Sequence, residues 1–200
     1  MPSDPSSLRP EFPNRERSFS ASSRQIAMIM FLASLAVLFV TSIIAYLVTR
    51  SNHPDWSRET VQLPWGLLGA GVFLVGTSVF IEMGLRAIRR NDQARLMRAL
   101  WWTGASAFAF LVAQGFNWRS VVAHNVAEES RLLSLFIFYM LTGVHALHIL
   151  AGFIPLGIVI HNCREREYSS SRHEGVALCA QYWHFLGVIW VLLMITMQLA

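Results

Sequence analysis

Charged residues are scarce in this 200-residue chain, at 14% of the sequence. A soluble domain carries roughly 25% charged residues, because charge covers a surface that faces water, so the shortage excludes a soluble globular protein. Hydrophobic residues make up 54%, which excludes a disordered protein as well. The composition therefore predicts a polytopic membrane protein.

Cysteine is almost missing and lysine is missing altogether. The two cysteines, Cys163 and Cys179, cannot build a disulfide framework, and the sequence has no Cys-x-x-Cys zinc motif. All 16 basic residues are arginines, and they are not gathered on one face with interleaved aromatics, so we expect no nucleic-acid partner. No connection is long enough for a soluble domain, so any chemistry must occur within the bilayer or in a partner.

The sequence does contain five apolar runs of about 20 residues, the length that crosses a bilayer as a helix. They are too long and too uniformly apolar for the strands of a membrane β-barrel. We therefore predict an all-α fold, with a disordered cytoplasmic tail over residues 1–24 and a five-helix transmembrane bundle over residues 25–200. The predicted spans cover residues 26–48, 65–87, 99–116, 133–160 and 175–199.

The distribution of the arginines predicts the orientation. The tail and the second and fourth connections hold twelve arginines, whereas the first and third connections hold four. Because positive residues are retained in the cytoplasm, we expect the N-terminus inside and the C-terminus outside.

Polar residues inside a span are costly and need a partner or a purpose. The last two spans hold most of them, together with small and aromatic residues of the same stripes. The candidate site residues are Thr142, His145, His148 and Gly152 in the fourth span and Gln181, Trp183, His184 and Trp190 in the fifth. At a rise of ~1.5 Å per residue, His145 and His184 lie at similar depths, so their imidazoles are expected to meet in a seam between the two helices.

Three interpretations of these histidines are open. The first is structural: a neutral imidazole bonds to Thr142, to Gln181 or to a backbone carbonyl and ties the two spans together. The second is lipid-headgroup or proton-linked chemistry. The third is a small membrane redox protein in which His145, His148 and His184 bind haem or a metal ion, although small residues nearby leave little room for a porphyrin.

Glu82 is the only acid well inside a span. Arg86 follows one turn later, so an ion pair at the cytoplasmic interface is one interpretation, and a carboxylate that takes part in proton uptake is the other.

Two of these runs resemble the signature of subunit III of the haem-copper respiratory oxidases. That family has Thr-Gly-x-His-x-Leu-His followed by Gly in one helix, and Tyr-Trp-His-Phe followed by Trp in the last helix. The matching residues are Thr142, Gly143, His145, Leu147, His148 and Gly152, then Tyr182, Trp183, His184, Phe185 and Trp190. The resemblance covers about residues 26–200 and is to the shorter, five-helix form.

Four acids that the family usually carries are replaced here, which marks a divergent member. The replacing residues are Leu35, Asn117, Ala177 and Gly187. The family assigns those carboxylates roles in lipid binding and proton uptake, and this chain lacks a carboxylate at each of the four positions.

The resemblance implies an accessory, non-catalytic subunit of a terminal oxidase in the bacterial cytoplasmic (inner) membrane, acting in aerobic electron transport. It implies no catalytic residue and no metal ligand in this chain, haem and copper in the catalytic partner subunit, and bound membrane phospholipid. It also implies that the chain supports the stability and the proton uptake of that partner. An accessory protein of nitric oxide reductase, which belongs to the same family, and a transient assembly factor are the alternatives.

Overall fold

The computed structural model describes residues 15–52, 66–125 and 132–199 of the chain. Within these residues the fold is helical, and its five helices are all long and apolar enough to cross a membrane. The predicted all-α class and number of spans are therefore confirmed. The helices are α1 (Arg15–Ser51), α2 (Gly66–Arg89), α3 (Gln93–Asn125), α4 (Leu132–Arg164) and α5 (Glu174–Leu199).

The helices are longer than the apolar runs that identify them. Helix α1 begins at Arg15, inside the segment predicted to be a disordered tail, of which residues 1–14 lie outside the described part. Helix α3 extends past the predicted span at both ends, from Gln93 to Asn125. A polar segment can prolong an existing helix without a new nucleation step, so hydropathy marks the membrane crossing rather than the helix end.

Helices α2 to α5 form the body of the bundle. The α2–α3 hairpin is the most extensive contact, and its helices approach closely at Gly84, where a Cβ would lie 3.2 Å from the Cβ of Ala99. Helix α5 packs against α2, α4 and α1. Half of its apolar segment is buried, compared with 11% for α1, so α5 is the central helix and α1 is peripheral.

Three segments rich in arginine meet at one end of the bundle. Arg24, nine residues after the first residue of α1, pairs with Glu174 of α5 at 2.8 Å. In the α2–α3 turn, the side-chain oxygen of Asn91 accepts a hydrogen bond from the backbone N–H of Ser170 at 2.6 Å. Ser170 lies in the α4–α5 connection. Gln93 donates to the carbonyl of Tyr168 at 3.0 Å, and burial raises the pKa of the Tyr168 phenol. We call this the arginine-rich end.

Candidate functional site

His145 lies at the centre of a cluster of aromatic rings that we call the histidine core: Phe39, Phe110, His145 and Trp190. The imidazole is fully buried, and its ring centroid lies 5.2 Å from that of Trp190 and 6.0 Å from that of Phe110. Within the described part of the chain, neither ring nitrogen has a hydrogen-bond partner. The structural interpretation gave the imidazoles a hydrogen bond to Thr142, to Gln181 or to a backbone carbonyl, and among the described residues His145 makes none of these because aromatic packing surrounds its ring.

Trp190 connects four helices at this level. Its ring meets Phe110 of α3 edge to face at 4.9 Å, a geometry that favours aromatic pairs. On the other side, a Cβ on Gly71 of α2 would lie 3.2 Å from the indole nitrogen. Because the glycine lets α2 approach, residues of α2, α3 and α4 all lie against this single indole of α5.

The predicted close approach of α4 and α5 is confirmed at Gly152. A Cβ at this position would lie 2.8 Å from the Tyr182 ring and 3.0 Å from the Trp183 ring. The Tyr182 hydroxyl donates to the carbonyl of His148 at 2.6 Å, and Nδ1 of His148 lies 2.7 Å from the carbonyl of Val144. The α4–α5 seam therefore consists of the small residue Gly152, the rings of Tyr182 and Trp183 that pack on it, and the hydrogen bond from Tyr182 to His148.

Thr142 bonds to a residue that the sequence analysis did not select as a site residue. Its hydroxyl accepts a hydrogen bond from the indole N–H of Trp118 at 3.1 Å, and donates to the carbonyl of Phe138. Tyr139 donates in turn to the carbonyl of Trp118 at 2.7 Å. These bonds link α3 to α4. The signal available in the sequence was that Trp118 directly follows Asn117, one of the four positions where an acid usual in the family is replaced.

Two predicted members of the seam lie elsewhere. His184 does not meet His145: it is half-exposed and faces α2, where its Nε2 lies 3.8 Å from the Glu82 carboxylate. Gln181 is exposed on the surface of α5. The cause is the helical period, because residues seven apart, such as Trp183 and Trp190, share a face, whereas His184 is turned ~100° from Trp183. The two indoles occupy the core side.

The three histidines do not converge on one point. His145 is enclosed by aromatic rings, His148 contacts Phe39 at 5.3 Å, and His184 faces α2. Among residues 15–52, 66–125 and 132–199, no three His, Cys, Asp or Glu side chains are grouped to hold a metal ion. This placement contradicts the interpretation in which His145, His148 and His184 together bind a metal ion.

An open groove of ≈ 800 Å³, the α2–α5 groove, runs along the outer surface between these two helices. Its walls are mainly valine, leucine and isoleucine side chains, and many are about half exposed. Its polar part is formed by Ser78, Glu82, His184 and Gln198. Glu82 also accepts from Arg86 at 2.8 Å, so the predicted Glu82–Arg86 ion pair is confirmed.

Comparison with protein families gives a match over nearly the whole chain. The family model described as cytochrome c oxidase subunit III matches residues 15–199, which include all five helices of the bundle.

Curated proteins with the same description are similar in sequence. Cytochrome c oxidase subunit 3 of Synechocystis sp. is 33% identical over 181 residues, which cover 88% of this chain and 75% of the relative. The protein of that name from Thermostichus vulcanus is 29% identical, with 85% of this chain and 84% of the relative covered. That from Corynebacterium diphtheriae is 26% identical, with 86% and 85% covered.

Proposed function

This chain belongs to the cytochrome c oxidase subunit III family, and we propose that it is the accessory, non-catalytic third subunit of a haem-copper terminal oxidase. The family match over residues 15–199 is the observation that carries the proposal. The names of the relatives favour an oxidase over nitric oxide reductase. In this assignment haem and copper belong to the catalytic subunit, and the chain is a multi-pass protein of the bacterial cytoplasmic membrane.

The α2–α5 groove is the face that we propose packs against the catalytic subunit. It is concave and apolar, so a transmembrane helix of the partner fits it. The partly exposed carboxylate of Glu82 lies in this groove. Glu82 is seven residues before the end of α2, a distance of ~10 Å along the helix axis. Because a charge that faces hydrocarbon is costly, covering this face with protein is favourable.

Purification of the tagged chain in a mild detergent tests the assignment. We expect a haem-bearing subunit to co-purify in stoichiometric amount, with the visible spectrum of an oxidase. Recovery of the chain without any haem protein, under conditions that keep other oxidases of the same membrane intact, would contradict the proposal.

Glu82 is the candidate for the support of proton uptake that the resemblance implies, but its ion pair with Arg86 favours a structural role. An exposed pair of this kind contributes about 0.2–1 kcal/mol. We therefore expect Glu82→Gln to leave both the assembly and the turnover of the complex nearly unchanged. The measurement is oxygen consumption per haem, with Glu174→Gln, which removes the Arg24 pair outside the groove, as the control. A large loss of turnover in Glu82→Gln alone would instead support proton uptake.

The arginine-rich end is proposed to face the cytoplasm, with the N-terminus inside and the C-terminus outside. The support is that segments carrying most of the arginines meet there, since positive residues are retained on the cytoplasmic side. A cysteine introduced at the exposed Ser171 should react with a membrane-impermeant thiol reagent only after the membrane is opened. Reaction in intact cells would show that the orientation is the opposite one.

A further inference from the structure

A second cavity lies at the arginine-rich end, on the side of the bundle where α2 and α3 meet. Its volume is ≈ 770 Å³, and we call it the arginine pocket. The turn between the helices is tight, with Asn91 in the left-handed region at φ 57°, so guanidinium groups from both helices are brought together. The arginines that line the pocket are Arg86, Arg90, Arg95 and Arg98.

The arginine pocket carries excess positive charge. Arg86 is neutralised by Glu82 at 2.8 Å, and Arg95 by Asp92 at 3.0 Å. Arg90 and Arg98 are exposed, and no acid of the described residues pairs with them. Two of the four guanidinium groups are thus available to an anion. A guanidinium binds a phosphate through two parallel hydrogen bonds, which makes phosphate a well-matched ligand.

The other wall of the pocket is apolar and aromatic. Phe80 and Trp102 approach each other at 6.0 Å between ring centroids, and Met83 lies beside them on the wall. Trp102 and Met83 are 61% and 56% exposed, so the surface continues outwards to where lipid chains would lie. A phospholipid has both parts, an anionic head and an apolar chain, whereas a free phosphate ion would leave this wall unused.

From this arrangement we propose that the arginine pocket binds the headgroup of an anionic phospholipid, with Arg90 and Arg98 on its phosphate and an acyl chain on Trp102 and Met83. Basic pockets between transmembrane helices on the cytoplasmic side suit such headgroups. The site is separate from the α2–α5 groove and does not depend on the docking of a catalytic subunit there.

The test compares two double variants of the full chain, purified in mild detergent with its partners. Arg90→Gln with Arg98→Gln removes two charges from the pocket. Arg89→Gln with Arg166→Gln removes two exposed charges from the same end but outside the pocket. Added phosphatidylglycerol or phosphatidylcholine is the probe, and bound lipid per chain is measured by native mass spectrometry.

We expect the unaltered chain to retain phosphatidylglycerol in preference to phosphatidylcholine. The pocket variant should retain it about 30-fold more weakly, on the order of what two interfacial arginines contribute, and the control should retain it normally. Equal retention of the two lipids, an equal loss in both variants, or full displacement by inorganic phosphate would overturn the proposal. If the haem-bearing subunit still co-purifies normally with the pocket variant, then a loss of lipid retention is not caused by a loss of the catalytic partner.

Discussion

Replacement of Trp190 by alanine should destabilise the bundle by about 3 kcal/mol. This is the low end of the range measured when a buried large aromatic side chain is replaced by alanine. The indole is 2% exposed and contacts α2, α3 and α4 from α5, so its removal leaves a cavity that borders four helices. The low end applies because separated helices in a bilayer still contact lipid, so the loss is mainly of packing. Thermal unfolding of the purified chain in detergent measures the change.

Trp101→Ala is the matched control for this prediction. The Trp101 ring is 56% exposed and its described partner is the guanidinium of Arg164, 5.9 Å from the ring centroid. An exposed cation–π pair contributes about 0.5–1 kcal/mol, so the control should lose no more than that. Equal destabilisation by the two alanine variants would mean that Trp190 does not hold the helices together.

Replacement of Val188 by tryptophan should remove most of the catalytic subunit from the purified complex. Val188 is 58% exposed and lines the α2–α5 groove, so a larger side chain occupies the space proposed for a partner helix. Overpacking costs about 1–3 kcal/mol, and ~1.4 kcal/mol is a factor of ten in affinity. We therefore expect roughly ten-fold less haem per chain after purification in mild detergent.

Ile154→Trp provides the comparison for the groove variant. Ile154 is 68% exposed on the outer face of α4, away from the groove, so the added ring should face lipid and leave the haem content unchanged. Unchanged haem in Val188→Trp, or an equal loss in both variants, would place the docking face elsewhere. Thermal unfolding of both variants checks that neither has lost the fold.

The helical fold could be predicted from the sequence because a segment that crosses a bilayer needs about 20 residues and must satisfy its backbone hydrogen bonds internally, as a helix does. The close contact at Gly152 could be predicted for a similar reason, since a glycine beside aromatic residues on consecutive spans indicates that backbones approach. The seven-residue spacing of Trp183 and Trp190 places both on one face, and both are buried.

The partners of the polar side chains could not be predicted in the same way. Periodicity gives the direction of a side chain around its own helix, but which helix lies in that direction depends on tertiary packing. His184 faces α2 instead of α4, so its neighbour is Glu82 and not His145.

The same region contains Gly187, where the family usually has an acid and this chain has none. A Cβ there would lie 3.3 Å from the Ser78 hydroxyl, and Glu82 supplies a carboxylate one turn further along α2.

Site-specific cross-linking tests the central claim, that this chain is an accessory subunit docked through its α2–α5 groove. The native cysteines are 4% and 2% exposed, so a photoreactive thiol reagent would report on an introduced cysteine alone. With Val188→Cys in native membranes, we predict a cross-linked product that contains the haem-bearing catalytic subunit, and none with Ile154→Cys. A product from Ile154→Cys but not from Val188→Cys would contradict the account.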